Sequence, residues 1–379
     1  KKKAFSYCSS LKSVKMSANT YAIGDGTFAY TGLARISLSP NMQFIGNGAF
    51  RGTDLRSITL KSKVTFIGNK VFADCEKLRT ISIPESVRGI NPGAFNNCTS
   101  LRAIHVASGN QNYSSQDGVL YNKNKTKLIQ YPLHKTNRSF RTPASLDSIR
   151  SNAFSGNAYL QNIVIRSKTI GEYAFSSMSS LKSVTILSGT QKIGGGSFMG
   201  CRKLTRMTLP DSVTAIGYSA FAECKFSRLH IPSSLKSLGN NVFEGCKNIS
   251  QFEGGRGARF KVQDGILYNS DKTALIKYPP KKTDKQFTVP NSVKKVRARA
   301  FQYASNLTKL EFGNRLTSFG YHAISEAKNL RSIVINSRKL YSGYGSAVYD
   351  CSRLAVIVGP NTSALRWMAE CANATLITL

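Results

Sequence analysis

The feature that most constrains this chain is an aromatic residue, usually preceded by a small residue, that returns every 21 to 24 residues. It stands at Phe5, Phe28, Phe50, Phe72 and Phe95, then at Phe154, Phe175, Phe198, Phe221 and Phe243, and again at Phe301. Ile324 and Val348 take the position afterwards, and two jumps of 59 and 58 residues interrupt the series. A period of this length marks supersecondary units that cannot bury an apolar face alone and must stack. The usual expectation of two or three globular domains for 379 residues gives way to a stack of about a dozen units.

One unit runs from Val71-Phe72 through Cys75, Leu78, Ile81, Ile83 and Pro84 to Val87 and Ile90; another runs from Ser197-Phe198 through Cys201, Leu204, Met207, Leu209 and Pro210 to Val213, Ile216 and Gly217. Leu-x-x-Ile-x-Ile predicts a short strand with alternate residues turned inward. Pro and Ser turn the chain, Val-x-x-Ile-Gly makes a second inward segment, and Ala-Phe drives a large side chain into the coil centre. The expected fold is a repeat solenoid, mainly β with turns and short 3-10 segments, a parallel sheet on one face and a C-terminal cap. This repeated pattern resembles the BspA-like leucine-rich repeats of surface proteins in bacteria and some protists, over residues 4 to 358.

The jumps hold a longer repeat. Asp117–Pro132 matches Asp264–Pro279 at an offset of 147 residues, and Leu-Tyr and Leu-Ile runs around a polar centre predict a β-hairpin in each. The long repeats fall near 107–147 and 254–290, and their hairpins are expected to project from or lengthen the sheet face. A cap is expected over 359–379, with Ser363 as helix N-cap and Leu365, Trp367, Met368 and Cys371 partly apolar upon it. The chain reads as one continuous domain. It starts in mid-repeat, so further sequence is expected upstream; no signal peptide and no membrane-spanning run is visible.

The repeat register removes most chemical readings. Cys8, Cys75, Cys98, Cys201, Cys224, Cys246 and Cys351 all lie three residues after the aromatic slot, where other units place Thr31, Thr53 or Asn157. They are expected to be free, buried thiols acting as small hydrophobes. Gly24-Asp25-Gly26 and Gly194-Gly195-Gly196 fall at the Ile-Gly turn, where positive φ is expected, and lack the Lys-Ser/Thr of a phosphate loop. His105 and His230 should face outward between the inward residues of their strands, with no carboxylate or thiol partner evident. No catalytic residue, metal or cofactor is expected, and the chain is expected not to be an enzyme.

Charge carries the remaining signal. Lys and Arg number 53 against 19 acidic residues, a formal +34, which favours anionic partners. Outward strand-centre positions are mostly neutral, from Thr59, Ser82 and His105 to Val334, with Glu253 and Glu311 acidic. The main basic row follows the Leu that opens each strand: Lys12, Arg56, Arg79, Arg102, Lys182 and Arg331, with Lys77 and Lys203 beside it. A second row on the opposite segment holds Arg88, Lys192, Lys236, Lys294 and Lys295. The hairpin regions add Lys123, Lys125, Lys127, Lys135, Arg138, Lys272, Lys277, Lys281, Lys282 and Lys285. The resemblance implies a surface or secreted adhesion module. The charge adds glycosaminoglycans, acidic glycans, cell-wall polymers or acidic proteins as partners. The alternative is an intracellular scaffold that binds nucleic acid or an acidic assembly through the same surface, without a specific recognition motif.

Overall fold

The computed structural model describes residues 1–341 and 347–378. Its residues divide into two compact units, Lys1–Lys182 with Gly196–Arg202, and Ser183–Gly195 with Lys203–Leu379. Each is a β-solenoid of stacked parallel turns. In the first unit the Leu-x-x-Ile-x-Ile strands Ser57–Thr59, Thr80–Ile83 and Ala103–Val106 pair in register, placing Ile58, Ile81 and Ile104 in one buried row. In the second, Lys309–Phe312, Ser332–Ile335 and Val356–Gly359 align Leu310, Ile333 and Ile357 in the same way. The first two coils depart from expectation, because residues 11–16 and 33–38 form no strand. Leu11, Val14, Met16 and Ile36 are only partly covered there, so the two-sided packing that holds a ladder is missing.

The Val-x-x-Ile segment forms a second ladder of two-residue strands, with Ile23, Ile45, Ile67 and Ile90 in register. The aromatic slot forms a third. Phe50 and Phe72 donate their N–H groups to Val71 and Ala94 of the following coil at 3.0 and 2.9 Å, and their rings stack at 5.8 Å between centroids. Residues two before and two after the aromatic are left-handed in coil after coil: Lys70 (φ 52°) and Asp74 (60°) flank Phe72, and Arg299 (56°) and Tyr303 (62°) flank Phe301. These left-handed residues stop any helical run, and no 3-10 helix occurs among the described residues. Positive φ therefore belongs at Gly26 and Gly196, beside the aromatic, rather than at the glycine after Ile. That glycine has a different cause. A Cβ on Gly217 or Gly239 would stand 2.4 Å from a backbone nitrogen of the neighbouring coil.

Each long repeat is a three-stranded antiparallel meander, one strand more than the expected hairpin. Tyr113–Gln116, Val119–Asn122 and Lys127–Gln130 pair in turn, and the last joins Ser148–Ile149 in parallel. Phe260–Gln263, Ile266–Asn269 and Ala274–Lys277 repeat this, joining Lys295–Val296. The meanders thus extend the Val-x-x-Ile ladder, while their first turns meet the Leu-x-x-Ile-x-Ile strands, where Ile104 and Phe252 donate N–H to the Gly118 and Gly265 carbonyls at 2.9 Å. Tyr131 and Tyr278, missed in the sequence because Tyr-Pro replaces Ala-Phe, occupy the aromatic slot. Their N–H groups donate to Ala153 and Ala300 at 2.8 and 2.9 Å, and their rings stack on Phe154 and Phe301 at 4.8 and 5.3 Å.

The two tyrosines differ at the hydroxyl. Tyr278 Oη donates to Asp284 at 3.0 Å, whereas the buried Tyr131 hydroxyl has no partner among the described residues. An unpaired buried hydroxyl costs about 1–3 kcal/mol and a bond to a charged acceptor contributes about as much. Tyr131→Phe is therefore expected to raise stability by about 1 kcal/mol and Tyr278→Phe to lower it by about 1–2 kcal/mol. Urea unfolding of both variants checks this, and equal shifts of one sign would refute it.

The cap helix Ser363–Ala372 starts one residue earlier than expected. Thr362, extended at φ −112° and ψ 154°, is the N-cap, and its side chain accepts from Leu365 N–H. Leu365 and Met368 enter the core, while Trp367 is 39% exposed and Cys371 is exposed, so the apolar face is narrower than the sequence suggests. Thr375–Thr378 pairs with Val356–Gly359.

Six of the slot cysteines are buried free thiols; Cys8 is exposed, against expectation, in the thinly covered first coil. The slot also has a polar use. Cys75, Cys98, Cys201 and Cys246 each donate to the carbonyl of the preceding coil's aromatic residue, Phe50, Phe72, Phe175 and Phe221, at 3.0 Å. Burial pushes the Cys75 thiol up to about 11 and those of Cys201 and Cys246 up to about 12. Iodoacetamide at neutral pH should therefore label only Cys8 and Cys371 in the folded chain and all eight cysteines after denaturation, counted by mass spectrometry.

Candidate polyanion-binding surface

The basic row is built by the strand register. Leu55, Leu78 and Leu101 are fully buried, so the residue after each turns outward. Arg79 N–H donates to the Arg56 carbonyl at 3.1 Å and Arg102 N–H to that of Arg79 at 2.8 Å. The three arginines are therefore adjacent rungs, about 4.8 Å apart along the stack. All three are exposed, and among the described residues none has a carboxylate within ion-pair distance.

The row has members the sequence misplaced. Gln161 N–H donates to Arg138 and Lys182 N–H to Gln161, both at 2.7 Å, so Arg138 belongs with Lys182 and not with a hairpin. In the second unit Thr308 N–H donates to Lys285 at 2.7 Å and Arg331 N–H to Thr308 at 2.8 Å, which brings Lys285 into the row of Arg331. Sequence numbering hid both because they lie within the long repeats, just beyond the meander strands that end at Gln130 and Lys277. Lys12 is exposed but lies outside any strand, and its Nζ donates to the Ser9 carbonyl at 3.4 Å. Lys77, beside the row, pairs with Asp54 at 2.9 Å.

The meander lysines divide. Lys123 Nζ donates to the Asn110 and Ser108 carbonyls at 2.6 and 3.2 Å. Lys125 clasps Gln116 at 2.9 Å, and Lys272 clasps Gln263 at 2.8 Å at the equivalent place. Lys282 pairs with Asp284 at 3.4 Å. These four help to hold the meanders, whereas Lys127 and Lys281 are exposed with no side-chain partner among the described residues. Lys277 is not a surface residue: it is 4% exposed, and its Nζ donates to the Arg299 carbonyl at 2.8 Å.

His230 has the acidic neighbour that the sequence did not reveal. Its Nε2 lies 3.1 Å from Asp211 Oδ1, which also accepts Ser233 N–H at 2.6 Å. Those two bonds hold the Asp211 carboxyl below the usual range. The pair is open to solvent and ties neighbouring coils. His105 is exposed.

Two arginines escaped notice altogether. Arg150 follows Ile149 and Arg297 follows Val296, where most other coils have a glycine. The meander has opened the stack at these seams, leaving room for a side chain. Arg150 Nη1 reaches the Ile90 carbonyl at 3.1 Å, and Arg297 Nη2 reaches Asn240 Oδ1 at 3.2 Å, across 60 and 57 residues of chain. Arginine in place of glycine was the readable signal.

The repeat geometry agrees with the comparisons. The family model described as "BspA type Leucine rich repeat region (6 copies)" matches residues 1–127, 133–250, 168–284 and 278–369. The chain belongs to the BspA-type leucine-rich-repeat family. Two solved structures share the fold of this BspA-type chain. A leucine-rich repeat protein from Eubacterium ventriosum is 23% identical over 93% of this chain and 80% of its own, with a TM-score of 0.58. A leucine rich cell surface protein from Faecalibacterium prausnitzii is 23% identical over 85% of this chain and 87% of its own, with a TM-score of 0.57. No curated protein matches. Among the described residues no helix is long and apolar enough to cross a membrane.

Proposed function

We propose that this BspA-type chain is a non-catalytic adhesion module, displayed at the cell surface or secreted, that binds linear acidic polymers such as glycosaminoglycans, acidic glycans, cell-wall polymers or acidic protein segments. The observation that carries the reading is the in-register row of Arg56, Arg79 and Arg102, none of which has a carboxylate within ion-pair distance among the described residues. Cations repeated at strand spacing suit a partner whose negative charges also repeat. The description of a related fold as a cell surface protein supports the setting. The experiment is binding of heparin and of neutral dextran at about 0.05 M and about 1 M salt, where the screening length falls from above 10 Å to about 3 Å. Heparin should bind at low salt only, and dextran at neither. Salt-independent binding, or none, would refute the reading, and preference for nucleic acid over heparin would replace it.

A further inference from the structure

The second meander leaves a cleft in its unit. Ser237–Leu238 pairs with Ala215–Ile216, but the ladder resumes with Ala274–Lys277 paired to Lys295–Val296. Residues 238–244, 276–277 and 297–299 line a cavity of about 40 Å³ at this seam. At about 10–15 Å³ per water, that is room for about three waters or one small oxyanion.

The lining is rich in cations with few counter-charges. Glu244 is its one carboxylate, and Arg299 Nε holds it at 3.0 Å. Arg299 Nη1 also donates to Asn241 at 3.2 Å. Lys277 is left with a backbone carbonyl and Arg297 with an amide oxygen. Burial lowers both, Lys277 to about 8. A buried cation without a counter-charge is unfavourable, and an incoming anion relieves it.

Next to the cavity stands an aromatic plate. The Arg299 guanidinium lies 5.5 Å from the centre of the Tyr321 ring. Tyr321 stacks on His322 at 3.7 Å and His322 on Tyr349 at 4.2 Å. Tyr321 and Tyr349 are 46% and 52% exposed. The exposed parts of these rings offer apolar surface for the C–H groups of a sugar.

The first long repeat supplies an internal comparison. At the same offset it has Gln130 for Lys277 and Asn152 for Arg299, and Asn152 N–H donates to Glu172 where Arg299 N–H donates to Tyr321. Gln130 Nε2 is satisfied by the Tyr131 and Ala153 carbonyls at 3.2 Å. Lys277, Arg299 and Tyr321 thus stand together at one of the two seams, where the other has glutamine, asparagine and glutamate.

We propose that the second seam binds a single acidic sugar residue, its carboxylate, sulfate or phosphate held between Lys277 and Arg297 and its ring packed against the exposed part of Tyr321. The proposal rests on the acidic-polymer reading and deepens it, but it uses residues separate from the arginine row.

The test is calorimetric titration of the whole chain with glucuronate, glucose and inorganic sulfate at low salt. Lys277→Gln, Arg297→Gln and Tyr321→Ala are compared with wild type, as is a triple Arg56, Arg79 and Arg102→Gln variant. Glucuronate should bind saturably, glucose should not, and each seam substitution should weaken glucuronate by about tenfold or more. The triple variant should keep glucuronate and lose heparin. Lys277→Gln is expected to fold, since glutamine fills this position in the first repeat. Absence of saturable glucuronate binding, or binding unchanged in Lys277→Gln and Arg297→Gln, overturns the proposal. Glucuronate bound no better than sulfate and indifferent to Tyr321→Ala overturns its sugar component. A chain that binds heparin but not glucuronate loses the seam and keeps the row; the reverse result loses the row and keeps the seam.

Discussion

Phe154→Ala is expected to lower the unfolding free energy by about 3–5 kcal/mol. The ring is fully buried and stacks on Tyr131 at 4.8 Å and on Phe175 at 4.7 Å, with Phe140 at 5.6 Å. Removing it forfeits the transfer energy of a phenyl group and leaves a hole between coils. Those coils are fixed by backbone bonds on both sides, Tyr131 N–H to Ala153 and Phe154 N–H to Ala174 at 2.7–2.8 Å, so they cannot close in to fill it. Urea unfolding followed by circular dichroism measures the loss. A change below about 1 kcal/mol would mean that the stack collapses onto the gap and that the slot is less rigid than its bonding indicates.

The second large effect concerns binding. Replacing Arg56, Arg79 and Arg102 together by glutamine is expected to weaken heparin binding at low salt by about 100-fold. A basic residue near an anionic surface contributes about 1 kcal/mol, and about 1.4 kcal/mol is a tenfold change in affinity. Glutamine keeps the length and the backbone bonds of each rung, so stability should hold. Replacing Lys123, Lys125 and Lys272 instead should weaken heparin less, because their ammonium groups already serve Asn110, Gln116 and Gln263. Affinity chromatography and calorimetry compare the two triple variants. Equal losses would show that total charge, and not the row, governs binding.

The periodic parts of the structure were readable because side-chain spacing alone decides them. The strands, the buried Leu and Ile rows and the cysteine slot follow from alternation within a repeated register. The seams were not readable in that way. Tyr131 and Tyr278 take the aromatic slot through backbone bonds that a search for Ala-Phe does not reveal. Arg138 and Lys285 join the arginine row only because each meander returns the chain to the coil. Lys277 looked like one more surface charge, and its burial depends on a cleft formed by residues about 40 positions away. The turn glycines were located correctly but for a different reason, since steric crowding by the neighbouring coil, not positive φ, requires Gly217 and Gly239. The cap helix was displaced by one residue because Thr362 and Ser363 are both competent caps and only backbone geometry chooses between them.

The ladders that join successive coils run on three sides of most turns, and at the two seams an arginine side chain does part of that work. Under tension along the chain, coils would peel off one at a time, each releasing about 22 residues of slack. Arg150 and Arg297 fasten positions 60 and 57 residues apart. A pull that reaches a seam would therefore release a loop more than twice the usual length, making the long repeats the coarse steps in an otherwise fine mechanical ratchet.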